Sequence, residues 1–103
     1  MELSNLIYIY LEDEDLKFII NKLRTSGRIW TPQRQALYDY FKKLAIPADA
    51  EKIWLELRAG GVTVSRDTIY NTLRLLISLG FADRHLNPEL NAYEYFPVKK
   101  INS

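Results

Sequence analysis

Residues 65–80 read Ser65-Arg66-Asp67-Thr68-Ile69-Tyr70-Asn71-Thr72-Leu73-Arg74-Leu75-Leu76-Ile77-Ser78-Leu79-Gly80. Ser65 can accept hydrogen bonds from the free amides of a first helical turn, and Gly80 can take the left-handed conformation that ends a helix, so a helix is expected from Arg66 to Leu79. Ile69, Leu73, Leu76 and Ile77 recur at helical spacing and form one apolar stripe. Arg66, Asp67, Tyr70, Asn71, Arg74 and Ser78 fall on the other side, and the spacing of four between Arg66, Tyr70 and Arg74 lines them up along that face. A polar row of this kind is either a solvated surface or a set suited to the major groove of duplex DNA. There an arginine can pair bidentately with guanine, an asparagine with adenine, and a tyrosine ring can pack on a thymine methyl. Asp67 opposes DNA contact unless it points along the helix start, where its charge suits the helix dipole.

The flanking segments decide what this helix belongs to. Downstream, Phe81 to Leu86 and Ala92 to Val98 are aromatic and apolar runs separated by Asn87-Pro88-Glu89-Leu90-Asn91, which has strong turn chemistry and predicts a β-hairpin. Upstream, Asp49 can cap a helix whose Ala50, Ile53, Trp54 and Leu57 repeat at i, i+3, i+4 and i+7 before Gly60-Gly61 stops it. Thr31-Pro32 opens another helix, expected to reach about Leu44, with Ala36, Leu37, Tyr40, Phe41 and Leu44 at helical spacing. Before it, Asp13 to Arg24 predicts a first helix ended by Ser26-Gly27, and Asn5 to Leu11 reads as a short strand. Helix, helix, helix and two-stranded hairpin is the order of a winged helix-turn-helix, a mainly α fold with a small β-hairpin. The expected organisation is an N-terminal strand and helix extension over 1–30 packed on the domain, a winged helix over 31–98, and a tail over 99–103.

Composition agrees and excludes other classes. The chain has 103 residues, 48% hydrophobic and 26% charged, enough for one core and too few for a separate catalytic domain. It contains no Cys and one His, so neither disulfides nor the usual zinc sets are available. There is no Ser-His-Asp or Cys-His set and no glycine-rich phosphate loop, and the carboxylates Glu12 to Asp15 read as a solvated helix start. No enzyme and no cofactor is expected. The longest N-terminal apolar run, Leu6 to Leu11, is far short of the roughly 20 residues that span a bilayer. A cytoplasmic protein with no membrane partner follows. Net charge is only +1, yet residues 1–15 hold five acids and no base, which leaves residues 16–103 with all fourteen Lys and Arg against eight acids. The acidic segment either starts a helix in the ordinary way or blocks or tunes DNA binding.

From Thr31 to Phe96 the chain resembles the DNA-binding half of the ferric-uptake-regulator (Fur) family of iron, zinc and peroxide sensors. Thr31-Pro32-Gln33-Arg34 is similar to the family's T-x-x-R opening of its second helix. Asp49-Ala50-Glu51-Lys52-Ile53-Trp54 resembles its S/D-A-E-x-I/L-Y third helix, and Asp67-Thr68-Ile69-Tyr70-Asn71-Thr72-Leu73 resembles its x-T-V-Y-R/N-x-L recognition helix. Gly80-Phe81 followed by Arg84-His85 looks like the start of its wing. The resemblance implies a regulator of transcription whose helix 66–79 enters the major groove of an A·T-rich site, with Tyr70 at a thymine and Asn71 near the bases, and the polar row adds Arg66 and Arg74 to the expected base contacts. It implies backbone contacts from Arg24, Arg28, Arg34, Ser65, Thr68 and the wing residues Arg84, His85 and Asn87.

The departures carry expectations too. The family pattern continues past the wing into a dimerisation and metal-sensing domain with His-rich and Cys-x-x-Cys segments, none of which occurs up to Ser103. Several members place a metal-binding His just before the third helix, where this sequence has Ile46. The expectation is a truncated, repressor-like reading head without a metal. A single head binds DNA weakly, so a homodimer through the N-terminal strand or the wing edge is one form of compensation; the other placement of that strand is on its own domain. The competing class is a winged helix reused for protein interaction, binding another regulator instead of DNA.

Overall fold

A computed structural model describes residues 13–98 of the chain, which divides into two compact units, residues 1–30 and 31–103. The first contributes helix α1 (Glu14–Thr25), capped by Asp13, whose side chain accepts from the Leu16 amide at 2.9 Å, and carrying Leu16, Ile19 and Leu23 as its buried face. The expected strand over Asn5 to Leu11 and the tail 99–103 lie outside the described residues.

The second unit runs α2 (Pro32–Phe41), β1 (Ala48–Asp49), α3 (Ala50–Ala59), α4 (Arg66–Ser78), β2 (Ala82–Asn87) and β3 (Ala92–Pro97). Each helix starts where a capping side chain meets the first orphan amides. Thr31 accepts from Arg34, Asp49 from Lys52 and Ser65 from Thr68. Both α3 and α4 end in the same way. The amide of Gly61 reaches the Arg58 carbonyl and that of Val62 the Leu57 carbonyl; the amide of Gly80 reaches Ile77 and that of Phe81 reaches Leu76. This double closure needs a positive φ at the glycine, +86° at Gly61 and +85° at Gly80, where a side chain is strained. Gly80 therefore does more than stop α4, because it turns the chain directly into β2.

The core of this unit gathers Leu37 and Phe41 of α2, Ile53 and Leu57 of α3, and Ile69, Leu73 and Leu76 of α4, with Ala48, Val64, Ala82 and Tyr95 closing it. Thr72 is the one polar residue buried among the described residues, and its hydroxyl is satisfied by donating to the Thr68 carbonyl at 2.7 Å. Three stripes meeting in this way are what hold the outer face of α4 toward solvent.

The fold is the winged helix expected, with two local differences. The sheet has three strands in the order β1-β3-β2, all antiparallel, because Ala48 pairs with Tyr95 and Asp49 with Glu94 in addition to the hairpin register from Ala82↔Pro97 to Asn87↔Ala92. Two residues between Pro47 and a helix cap are too short to show strand periodicity. Helix α2 ends at Phe41 instead of Leu44, since the amides of Lys43 and Leu44 reach back only three residues, to Tyr40 and Phe41, and the chain leaves the helix there.

Candidate nucleic-acid interface

The outer side of α4 presents Arg66, Asp67, Tyr70, Arg74 and Ser78 as exposed residues, with Thr68 and Asn71 half-buried at its border. Tyr70 is 42% exposed and its ring stands one turn from Arg74. Arg74 Nη2 donates to Asn71 Oδ1 at 2.6 Å, which fixes the amide and the guanidinium side by side on the helix surface. Ser65 and Thr68 serve the helix itself. The Ser65 hydroxyl oxygen accepts the Thr68 amide at 3.1 Å and its hydroxyl bonds the Thr68 hydroxyl at 2.9 Å.

Arg66 is held by α3. Its Nε and Nη2 donate to the two carboxylate oxygens of Glu51 at 3.0 and 2.9 Å, and its guanidinium carbon lies 4.0 Å from the ring centroid of Trp54. Hydrogen bonds from Arg66 keep the Glu51 carboxyl below the ordinary carboxylate range, so the acid stays ionised. Trp54 is itself anchored, its indole N–H donating to the Val64 carbonyl at 2.9 Å in the turn that leads into α4.

The wing divides its residues between two faces, as strand alternation requires. Arg84 stands opposite the buried Tyr95 and stacks over the Tyr93 ring at 4.0 Å. A shallow cleft on this side is lined by Tyr70 of α4, Glu51 of α3, and Asn91, Tyr93 and Tyr95. His85 faces the other way, with Nε2 at 3.0 Å from Glu94 Oε1 and its ring 5.7 Å from that of Phe96. Asn87 shapes the turn, accepting the amides of Glu89 and Leu90 through Oδ1, while Asn91 takes φ +50° to return the chain into β3.

The structure thus brings Ser65, Arg66, Thr68, Tyr70, Asn71 and Arg74 together on one helix, with Arg84 on the sheet face that shares a cleft with Tyr70. Arg34 sits half-buried in the first turn of α2, its amide donating to the Thr31 hydroxyl. Arg24 and Arg28 belong to the first unit, where both are exposed and the Arg28 amide closes the end of α1 on the Leu23 carbonyl. Sequence reading missed Glu51, Trp54 and Tyr93 as part of this surface. Glu51 lies fifteen residues from Arg66, and only the packing of α3 on α4 makes them neighbours. Residues 31–98 also carry eight basic and eight acidic side chains, so the basic excess lies outside the winged helix and charge on this surface is local.

Residues 25–97 match the ferric uptake regulator family. The chain belongs to this family. Among solved Fur-family structures, PerR of Streptococcus pyogenes, described in terms of peroxide sensing and gene regulation, is 24% identical with a TM-score of 0.62, over 77% of this chain and 54% of that one. The Vibrio cholerae ferric uptake regulator is 17% identical with a TM-score of 0.61, over 80% and 63%. The Helicobacter pylori regulator, for which three metal sites are described, is 20% identical with a TM-score of 0.64, over 84% and 60%. The chain therefore spans between about half and two-thirds of the length of these relatives. No curated protein matches it in sequence. The metal chemistry of the family does not fit the residues described here. No three His, Cys, Asp or Glu side chains come together among them, Ile46 offers no donor, and His85 is engaged with Glu94. Among the described residues no helix is long and apolar enough to cross a membrane.

Proposed function

We propose that this Fur-family chain is a sequence-specific duplex-DNA-binding regulator of transcription, acting in the cytoplasm as a repressor, that lays α4 in the major groove and the wing along the backbone. The observation that carries this reading is the two-sidedness of α4: Ile69, Thr72, Leu73 and Leu76 are sealed into the core while Tyr70 and Arg74 stand exposed in line on the opposite face. Tyr70, Asn71 and Arg74, together with Arg66, face base edges. Arg34, Ser65, Thr68, Arg84, His85 and Asn87 lie along the sugar-phosphate backbone, as do Arg24 and Arg28. The preferred site is A·T-rich, in keeping with a tyrosine that packs on thymine methyls.

One head gives weak affinity, so the active species is a homodimer joined through the wing edge or the N-terminal segment. Strand β2 is the longer of the two edge strands of the described sheet and offers such an edge. Random-oligonucleotide selection at low salt, followed by a salt titration on the recovered duplex, tests the assignment. An enriched A·T-rich site whose affinity falls steeply with salt is expected, and failure to enrich any site sinks it. Light scattering at high micromolar concentration tests the dimer, which a strict monomer excludes.

The balance of eight bases and eight acids over residues 31–98 favours one competing reading, a winged helix that binds another regulator. For that module duplex affinity is negligible even at low salt, while a protein partner is recovered with the chain.

A further inference from the structure

We propose that Glu51 and Trp54 are positioning residues that fix Arg66 for one guanine, so that the duplex recognised by this chain carries a required G·C pair beneath the first turn of α4. The inference rests on the DNA-reading assignment above. A guanidinium has five N–H donors arranged around three edges. In Arg66 the Nε and Nη2 edge is taken by both oxygens of Glu51, at 3.0 and 2.9 Å, and one flat face lies over Trp54. The edge formed by Nη1 and the second hydrogen of Nη2 is left, on a side chain that is 54% exposed. That is the fork whose spacing matches guanine O6 and N7.

Two consequences separate this arrangement from an ordinary surface arginine. A free arginine must give up rotamer freedom when it meets DNA, whereas here the freedom is already spent within the protein, through a chain of contacts that runs from the Val64 carbonyl to the Trp54 indole to Arg66 and back to Glu51. The ion pair is also neutral as a unit, so its pull on phosphate is weak and its remaining donors are worth most against a base edge. Arg66 thereby contributes selectivity more than affinity. A site otherwise rich in A·T is expected to be punctuated by this guanine.

The test uses the duplex recovered by selection, together with all its single-base-pair variants, measured by fluorescence anisotropy against the wild-type chain, Arg66→Ala, Glu51→Ala, Glu51→Gln and the double variant. In the wild type one G·C pair shows a loss of about tenfold or more on any substitution. Arg66→Ala abolishes the preference at that pair alone and leaves the salt slope unchanged. Glu51→Ala weakens the same preference even though deleting an acid raises overall DNA affinity, Glu51→Gln weakens it less, and Glu51→Ala adds nothing once Arg66 is gone. Both side chains are exposed, so unchanged melting temperatures are expected and checked.

The proposal is overturned if Arg66→Ala weakens all duplexes equally and lowers the salt slope by about 0.9, the signature of a phosphate contact. Retention of the guanine preference in Glu51→Ala also overturns it. In either case the chain still binds its site and the DNA-reading assignment stands; recovery of no duplex by the wild type removes that assignment and this proposal with it.

Discussion

Trp54→Phe tests whether the turn between α3 and α4 is held by a single part-buried hydrogen bond. The phenyl ring fills most of the indole volume and still offers Arg66 a flat face, so the substitution removes chiefly the N–H that donates to the Val64 carbonyl at 2.9 Å. Val64 is only 5% exposed, which limits the ability of water to replace the lost donor. Leaving a buried carbonyl unsatisfied costs about 1–3 kcal/mol. For a domain of this size each kcal/mol moves the midpoint by roughly 4–8 °C, so a fall in Tm on the order of 10 °C is expected. Thermal denaturation followed by circular dichroism measures it, with Leu55→Ala on the exposed side of α3 as a control expected within about 0.5 kcal/mol of wild type. A Trp54→Phe midpoint within about 2 °C of wild type refutes the reasoning, since it places the turn under some other restraint.

Further outcomes follow from the same structure. Tyr70→Ala and Arg74→Ala each weaken binding to the selected duplex by about 1–3 kcal/mol in anisotropy titrations while leaving Tm near wild type, because neither side chain enters the core. Leu73→Ala, at a fully buried position, lowers stability by about 2–5 kcal/mol in urea denaturation. Gly80→Ala places a side chain at φ +85° and costs about 1–2 kcal/mol by the same assay. Tyr40 donates to Glu56 Oε2 at 2.6 Å, and burial together with the Glu56 carboxylate holds its phenol well above the ordinary value of 10.0. A folded value above the unfolded one means that this contribution is complete below pH 10 and is lost as pH rises beyond it, so stability declines in alkali and Tyr40→Phe flattens that decline.

Much of the fold is legible in the sequence because its signals are local. Ser65, Asp49 and Thr31 cap helices three residues from the amides they satisfy, and Gly61 and Gly80 close them within six residues. Asn87 and Asn91 announce the hairpin for the same reason. What the sequence hides is non-local or short. The pairing of Ala48 and Asp49 with β3 spans more than forty residues and has no periodicity to reveal it. The α4 face was legible as a row of residue types, yet the hold of Glu51 and Trp54 on Arg66 depends on the crossing of two helices, which no spacing encodes. Strand alternation sends the neighbouring wing residues Arg84 and His85 to opposite faces, and the hold of Glu94 on His85 across the hairpin is likewise something the row of residue types does not display.

The most direct test of DNA reading by α4 is an NMR titration of isotope-labelled chain with the selected duplex. Shifts concentrated at Arg66, Tyr70, Asn71 and Arg74, with a second cluster on β2, are the predicted result. Shifts confined to surfaces away from α4, with those four residues unmoved at saturation, contradict it.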